Sequence, residues 1–263
     1  MKVCICERTT IYQLIHICFE QLNIKPYVAE VGVLRGENAS KLLYELKPSF
    51  MWLIDKWEKM NSNNVHPFSD YPFYIQNIEV YKEYFGGPLN EQETFDNLLN
   101  ETKQKFIEFQ NVKIIREDSI KSIDILKNDL QKINKKYLDF VYIDANHQYD
   151  YVLRDLMYWH KILSDNGLIQ LNDCCFSYAG AKQNLGVLYA VTEFTKRTDF
   201  FPVLLTNTDW SDIVLAKRNS IISQKINDII NMSNIPYVEV PHQLLPSMKI
   251  VNGSQRSNIS FLL

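Results

Sequence analysis

The 263-residue chain carries no surplus of either charge: 28 basic against 31 acidic residues leave a formal net charge of −3. Proteins that bind nucleic acid usually show a basic stripe for the phosphates, and the absence of one argues against such partners. No apolar run is long enough to cross a bilayer, and the opening "MKVCICERTTIYQLIH" lacks the uninterrupted apolar stretch of a secretion signal. These absences predict a cytoplasmic protein with no membrane partner. Five scattered cysteines, Cys4, Cys6, Cys18, Cys174 and Cys175, lack the C-x-x-C spacing of a zinc site, which predicts reduced thiols. Internal repeats and low-complexity segments are missing too. So is the G-x-G-x-x-G fingerprint that holds a dinucleotide pyrophosphate, which counts against a nicotinamide-dependent oxidoreductase.

What the chain does have is alternation. A hydrophobic fraction of 46% and a charged fraction of 22% fit a globular domain with a sizeable core. Apolar residues at helical spacing (Ile11, Leu14, Ile15, Cys18, Leu22) predict a helix over 10–22 capped by Thr9 or Thr10, with His16 as a structural histidine. Strand "YVAEVGV", helix "ENASKLLYEL" and strand "FMWLID" follow. After residues 57–111, an aromatic-rich insertion with one helical stretch, the rhythm resumes. It runs through strand 112–116, helix 122–134, strand "LDFVYI", helix 151–163, a turn at "DNG", strand 167–173 and helix 186–197. "FFPVLLTNT" and "WSDIVLAKR" are close enough to pair as a hairpin, and residues 219–263 read as a C-terminal extension of a domain spanning 1–218. Such alternation predicts an α/β fold, a mostly parallel sheet with helices on both faces.

Polar residues cluster where strands end. Glu30 closes the first strand, with Gly32 and Gly36 in the turn behind it; glycines there permit a tight turn and close approach to a ligand at a helix N-terminus. Asp55 ends the second strand, placed to accept ribose hydroxyls, and Asp118 with Ser119 follows the third, placed to meet an adenine amino group. Asp and Ser are also common helix caps. In "FVYIDANHQYD" a buried strand ends in Asp144, with His147 three residues on; the fifth strand ends in Asn172 and Asp173. Oxygen-rich ligands at Asp144, Asn172 and Asp173 suit Mg²⁺, and an imidazole beside them suits a general base.

The series "EVGVLRG", "LIDKW", "REDS", "VYIDANHQYDYVLRDLMYWHKIL", "NGLIQLND" and "GVLYAVTEF" resembles the class I S-adenosylmethionine-dependent methyltransferases, and among them the bacterial small-molecule O-methyltransferases that include macrolide sugar methyltransferases. The match runs from about residue 27 to residue 217. The resemblance implies a Rossmann-like, seven-stranded sheet in the order 3-2-1-4-5-7-6 with the last strand antiparallel, in agreement with the hairpin. It implies adenosylmethionine lying across Glu30, Gly32, Asp55, Asp118 and Ser119, with Arg35, Gly36, Lys56, Trp57, Asp144 and Ala145 around it. It also implies His147 and Asp144 as catalytic residues and a metal at Asp144, Asn172 and Asp173. In the family pattern the first residue of that last pair is acidic, whereas here it is Asn172.

The expected activity is O-methylation of a small, sugar-containing acceptor, with aromatics of the insertion (Phe68, Tyr71, Phe73, Tyr74, Tyr81, Tyr84, Phe85) as a lid or as packing for an extra helix. Methylation of a small amine or phosphorylated amino alcohol, and a non-catalytic nucleotide-binding protein, are the alternatives. Homo-oligomer formation is left open.

Overall fold

The computed structural model of the protein describes residues 1–60, 78–174, 186–208, 210–252 and 257–261. In chain order it comprises β1 (Lys2–Cys4), α1 (Arg8–Gln21), β2 (Tyr27–Val31), α2 (Glu37–Leu46), β3 (Phe50–Asp55), α3 (Ile78–Phe85), α4 (Gln92–Phe106), β4 (Val112–Arg116) and α5 (Ser119–Lys132). Then come β5 (Leu138–Ile143), α6 (Tyr149–Trp159) with a 3₁₀ turn (His160–Ile162), β6 (Leu163–Leu171), α7 (Val187–Arg197), β7 (Phe200–Thr206) and β8 (Ile213–Lys217). The chain continues through α8 (Ile221–Met232), β9 (Tyr237–Glu239), a second 3₁₀ turn (His242–Ser247) and a small hairpin of β10 (Lys249–Asn252) and β11 (Ser257–Ser260).

Nine strands form one sheet in the order β4-β3-β2-β5-β6-β8-β7-β1-β9. Its first seven positions are the expected 3-2-1-4-5-7-6 order, and β8 runs antiparallel to both β6 and β7. The expectation of seven strands falls two short. β1 adds in parallel to β7, and β9 pairs antiparallel with β1 at the edge. Boundaries differ as well. The "DNG" turn is a bulge inside β6, where the register jumps from Leu138↔Leu163 to Phe140↔Leu168. Helix α1 begins at Arg8, with Glu7 at its N-cap, so neither Thr9 nor Thr10 caps it.

Both faces of the sheet are buried, because alternate residues of each strand point to opposite sides. On one face Ala29, Val31, Val141, Ile143, Ile169 and Leu171 pack under α5, α6 and α7 through Leu126, Leu156, Trp159 and Phe194. On the other, Val28, Met51, Leu53, Phe140 and Leu168 pack under α1, α2, α4 and α8 through Ile15, Leu42, Leu98 and Ile226. Apolar periodicity at 3.6 residues in the helices and 2 in the strands is what makes the two cores close.

One row across the second face is not apolar. Glu30, Tyr142 and Gln170 stand side by side in register on β2, β5 and β6, each at most 1% exposed. A buried polar row must find its hydrogen bonds within the protein. It lies one residue short of the carboxyl ends of these strands, and at its centre the Tyr142 ring meets Arg8 in the first turn of α1.

Candidate active site at the carboxyl ends of β2, β5 and β6

The turn after β2 sets the geometry. Gly32 adopts φ +87, and a Cβ there would overlap the Asp144 carbonyl, so only glycine lets the β2 turn close on the end of β5. Gly32 N donates to Ile54 O at 2.8 Å and Asp144 N donates to Val31 O at 2.8 Å, which zips the three strand ends together.

Asp55 organises the same loop. Its Oδ2 accepts from the backbone N–H groups of Val33 and Leu34, each at 2.9 Å, and its Oδ1 accepts from Trp57 N at 3.0 Å. A carboxylate has about four acceptor positions, so Oδ1 retains capacity for a hydroxyl. Trp57 is 1% exposed, has φ 43 and donates Nε1–H to Leu34 O at 2.6 Å; it builds the loop from inside the core. Lys56 points outward and pairs with Glu58. Arg35 turns to the insertion, donating to Tyr84 O while its own carbonyl accepts from Lys105.

Glu30 and Asn38 face each other behind the turn. Asn38 Nδ2 donates to Glu30 Oε1 at 3.0 Å, while Glu30 Oε2 is buried with no partner among the described residues. Burial, only partly offset by the Asn38 bond, lifts the Glu30 carboxyl to about 8, so at neutral pH it is mostly protonated. Asp118 is the N-cap of α5, accepting from Ile120 N at 3.0 Å, with Arg154 Nη2 3.6 Å from its other oxygen. Ser119 is 8% exposed and its Oγ accepts from Trp159 Nε1 at 2.8 Å. The third strand end is thus engaged in capping and core contacts.

At the end of β5 the picture changes, because three ionisable groups converge. His147 Nε2 lies 3.0 Å from Asp144 Oδ1 and Nδ1 lies 3.4 Å from Asp173 Oδ2, so the imidazole sits between two carboxylates. One ligand atom from each of the three falls within 4.8 Å of the others. The turn is held from behind, since His147 O accepts from Gly186 N at 2.6 Å. Asp173, two residues past β6, has φ 56, a left-handed conformation that Asp tolerates. Ala145 is exposed at the rim.

The electrostatics follow from this arrangement. Burial alone would lower the His147 pKa, but the charge of Asp173 and the hydrogen bond and charge of Asp144 outweigh it and raise it to about 9. For Asp144, burial raises the pKa and is outweighed by the hydrogen bond and charge of His147 with Arg8 behind, so it is lowered. Burial lifts Asp173 to about 6 against the pull of His147. The cluster is an imidazolium between two acids of unequal strength.

Asn172 does not present an oxygen to this cluster. Its Oδ1 accepts from Arg8 Nη2, and its Nδ2 donates to Asp173 Oδ1 at 2.6 Å and lies 3.4 Å from Asp144 Oδ1. The expected third metal oxygen is turned away by a guanidinium that sequence reasoning missed. Arg8 also donates from Nε to Asp212 Oδ2 at 2.7 Å and from Nη1 to Asn38 Oδ1 at 3.3 Å. Asp212, 1% exposed, is equally unforeseen; burial lifts it to about 7 against Arg8, and it also accepts from Gln170 Nε2 at 2.9 Å. A basic residue in the first turn of an amphipathic helix was the signal available for Arg8. For Asp212 there was none.

Helix α3 borders the site. Tyr81 and Tyr84 are raised in pKa first by burial, with added contributions from Asp173 and Asp144, and Phe85 packs on Phe95 of α4 at 5.8 Å between ring centroids. The other insertion aromatics, Phe68, Tyr71, Phe73 and Tyr74, lie outside the described residues, as does Cys175.

With a doubly covered sheet of this order, a glycine turn after its central strand and ionisable groups on the next two strand ends, the architecture is that of a Rossmann-like methyltransferase. Residues 29–174 match the family described as a methyltransferase domain, and the chain belongs to it: it is an S-adenosylmethionine-dependent methyltransferase. No curated protein matches the chain. Similar solved structures include a Klebsiella pneumoniae protein assigned as an O-methyltransferase, at 12% identity over 81% of this chain and 82% of that one with a TM-score of 0.49. The N-methyltransferase NodS from Bradyrhizobium japonicum WM9 shows 11% identity over 81% and 95% with a TM-score of 0.46. A ribosomal protein L11 methylase from Lactobacillus delbrueckii subsp. bulgaricus shows 12% over 82% of each with a TM-score of 0.45.

Proposed function

We propose that the protein methylates a hydroxyl of a small, sugar-containing acceptor, with His147 as general base. The supporting observation is the His147 imidazole held between Asp144 and Asp173 at the mouth of the site. A hydroxyl is a weak nucleophile at neutral pH and must lose its proton as the new bond forms, which an oriented imidazole promotes. Asp144 fixes the ring and steadies the imidazolium that results. Adenosylmethionine supplies the electrophilic methyl group. Asp55 Oδ1 retains acceptor capacity for a ribose hydroxyl.

Asp144 and Asp173 fit a divalent cation of the Mg²⁺ type, which commonly takes one or two carboxylates and completes its shell with water and substrate. Such an ion, when bound, lowers the pKa of a coordinated hydroxyl. Asn172 then serves as a hydrogen-bond donor to the two ligands. Without a cation the two carboxylates keep His147 charged at neutral pH and unable to accept a proton, so the metal-free protein should be inactive near neutral pH. A second reading, methylation of a small amine, is favoured by the same carboxylates, since Asp144 and Asp173 can receive an ammonium.

The test is incubation with adenosylmethionine and a panel of hydroxylated and amino sugars, with the methylated atom located by mass spectrometry. O-methyl products whose formation stops on chelation and resumes with Mg²⁺ are expected. N-methyl products, or full O-methylation after exhaustive chelation, would overturn the acceptor or the metal respectively.

A further inference from the structure

Residues 29–174 carry the family match, yet the cluster around His147 is tied to two residues outside it, Arg8 in the first turn of α1 and Asp212 just before β8. The tie passes through Asn172. Its side-chain amide has one acceptor end and one donor end, and the neighbours on the two sides are unlike. Arg8 faces the first end and offers only donors; the carboxylates of Asp144 and Asp173 face the second. A guanidinium has no acceptor and an ionised carboxylate has no donor, so the amide has a single orientation that satisfies all three groups. Rotated by half a turn, it would set its oxygen against the acids and its NH₂ against Arg8.

Arg8 is itself immobilised. Its Nε is paired at 2.7 Å with Asp212, which is 1% exposed, its Nη1 donates to Asn38, and its guanidinium carbon lies 5.4 Å from the centroid of the Tyr142 ring. The three nitrogens are all engaged, so the guanidinium is part of the frame and not a free anion receptor. Lysine cannot reproduce this fork, because an ammonium is a point donor without fixed planar geometry.

We infer that Arg8 is a positioning residue of the active site. It fixes the Asn172 amide so that one NH₂ group bridges Asp144 and Asp173 and holds them on either side of His147. Asn172 is on this account a donor that orients the acids, and the N-terminal helix completes a site that the matched segment alone leaves unfinished. The inference rests on the reading of His147, Asp144 and Asp173 as the reacting cluster.

A double-mutant cycle tests it, using the full chain and whichever acceptor the panel yields. Arg8→Lys retains a charge beside Asp212, whereas Arg8→Ala would leave that buried carboxylate unpaired and risk misfolding. Arg8→Lys is expected to lower kcat about tenfold in the wild-type background and less than about twofold in an Asn172→Ala background, because the effect travels through Asn172. Nitrogen-15 NMR provides a second readout that needs no acceptor: the Asn172 side-chain NH₂ resonances should shift and exchange faster with solvent in Arg8→Lys. Equal fold losses in both backgrounds, or unmoved Asn172 resonances, would overturn the inference. If the product is N-methylated but the Asn172 signals still depend on Arg8, the proposed acceptor chemistry fails and the positioning role stands.

Discussion

Glu30 is a carboxyl that folding keeps protonated. Its pKa of about 8 in the folded chain compares with an ordinary value of 4.5, and burial is the main cause. Between those values the folded state holds a proton that the unfolded state has released, so Glu30 makes stability fall as pH rises through that window. Glu30→Gln keeps an oxygen for Asn38 and removes the titration. Denaturant melts at pH 5 and pH 8 should show a smaller stability loss for the variant than for wild type. An equal loss would contradict the assignment. His147 provides a direct check on the cluster: an NMR titration should place its imidazole near 9 in the metal-free protein, and Asp173→Asn, which removes one of the two charges raising it, should lower that value. An unchanged titration would mean that Asp173 does not face the ring. Much of this residue-level picture was legible from position alone, because Asp55 ends β3, Asp144 and Asp173 follow β5 and β6, and Glu30 lies one residue before the end of β2. The orientation of Asn172 was not legible, since it depends on Arg8, 164 positions away in the chain.

Among the elements, the β2–β5 contact is the one on which the site depends most. Gly32 lies against the Asp144 backbone in a left-handed conformation, so Gly32→Ala adds both steric overlap and backbone strain. A residue forced into such a conformation costs roughly 1–3 kcal/mol, with the overlap in addition. Calorimetric melting should show Gly32→Ala destabilised by at least about 2 kcal/mol, and a variant as stable as wild type would contradict the packing described. Seven strands of the sheet could be read from their apolar runs, and the hairpin of β7 and β8 from its short connection. β1 could not: at three residues, Lys2–Cys4, it is too short for periodicity, and its partner strand β7 lies some two hundred residues on. Apolar spacing over 10–22, with Thr9 or Thr10 as cap, predicts a helix that begins two residues late. The structure starts the helix at Arg8, which brings Arg8 over the polar row of the sheet.

Across the whole molecule, the sheet is extended by segments from opposite ends of the chain. Lys2 is the clasp: its ammonium reaches Asn231 Oδ1 at 2.8 Å and Glu239 Oε1 at 2.7 Å and lies 3.8 Å from the Tyr237 ring centroid. Lys2→Ala should lower Tm by a few degrees and loosen β9 first, seen as faster amide exchange at Val238 than at Val141 in the central β5. Unchanged Tm and exchange would show that the clasp adds nothing. Between these outer strands and the opposite edge at β4, the proposed reading divides the sheet in two, with cofactor binding around β2 and β3 and acceptor chemistry at the ends of β5 and β6. Calorimetric titration with S-adenosylhomocysteine of the wild-type protein, Asp55→Ala and His147→Ala tests that division most directly. Binding at micromolar strength by wild type and His147→Ala alike, with severe weakening in Asp55→Ala, is the predicted result. Weakening in His147→Ala as large as in Asp55→Ala would contradict it, because the imidazole would then belong to the cofactor and not to the acceptor.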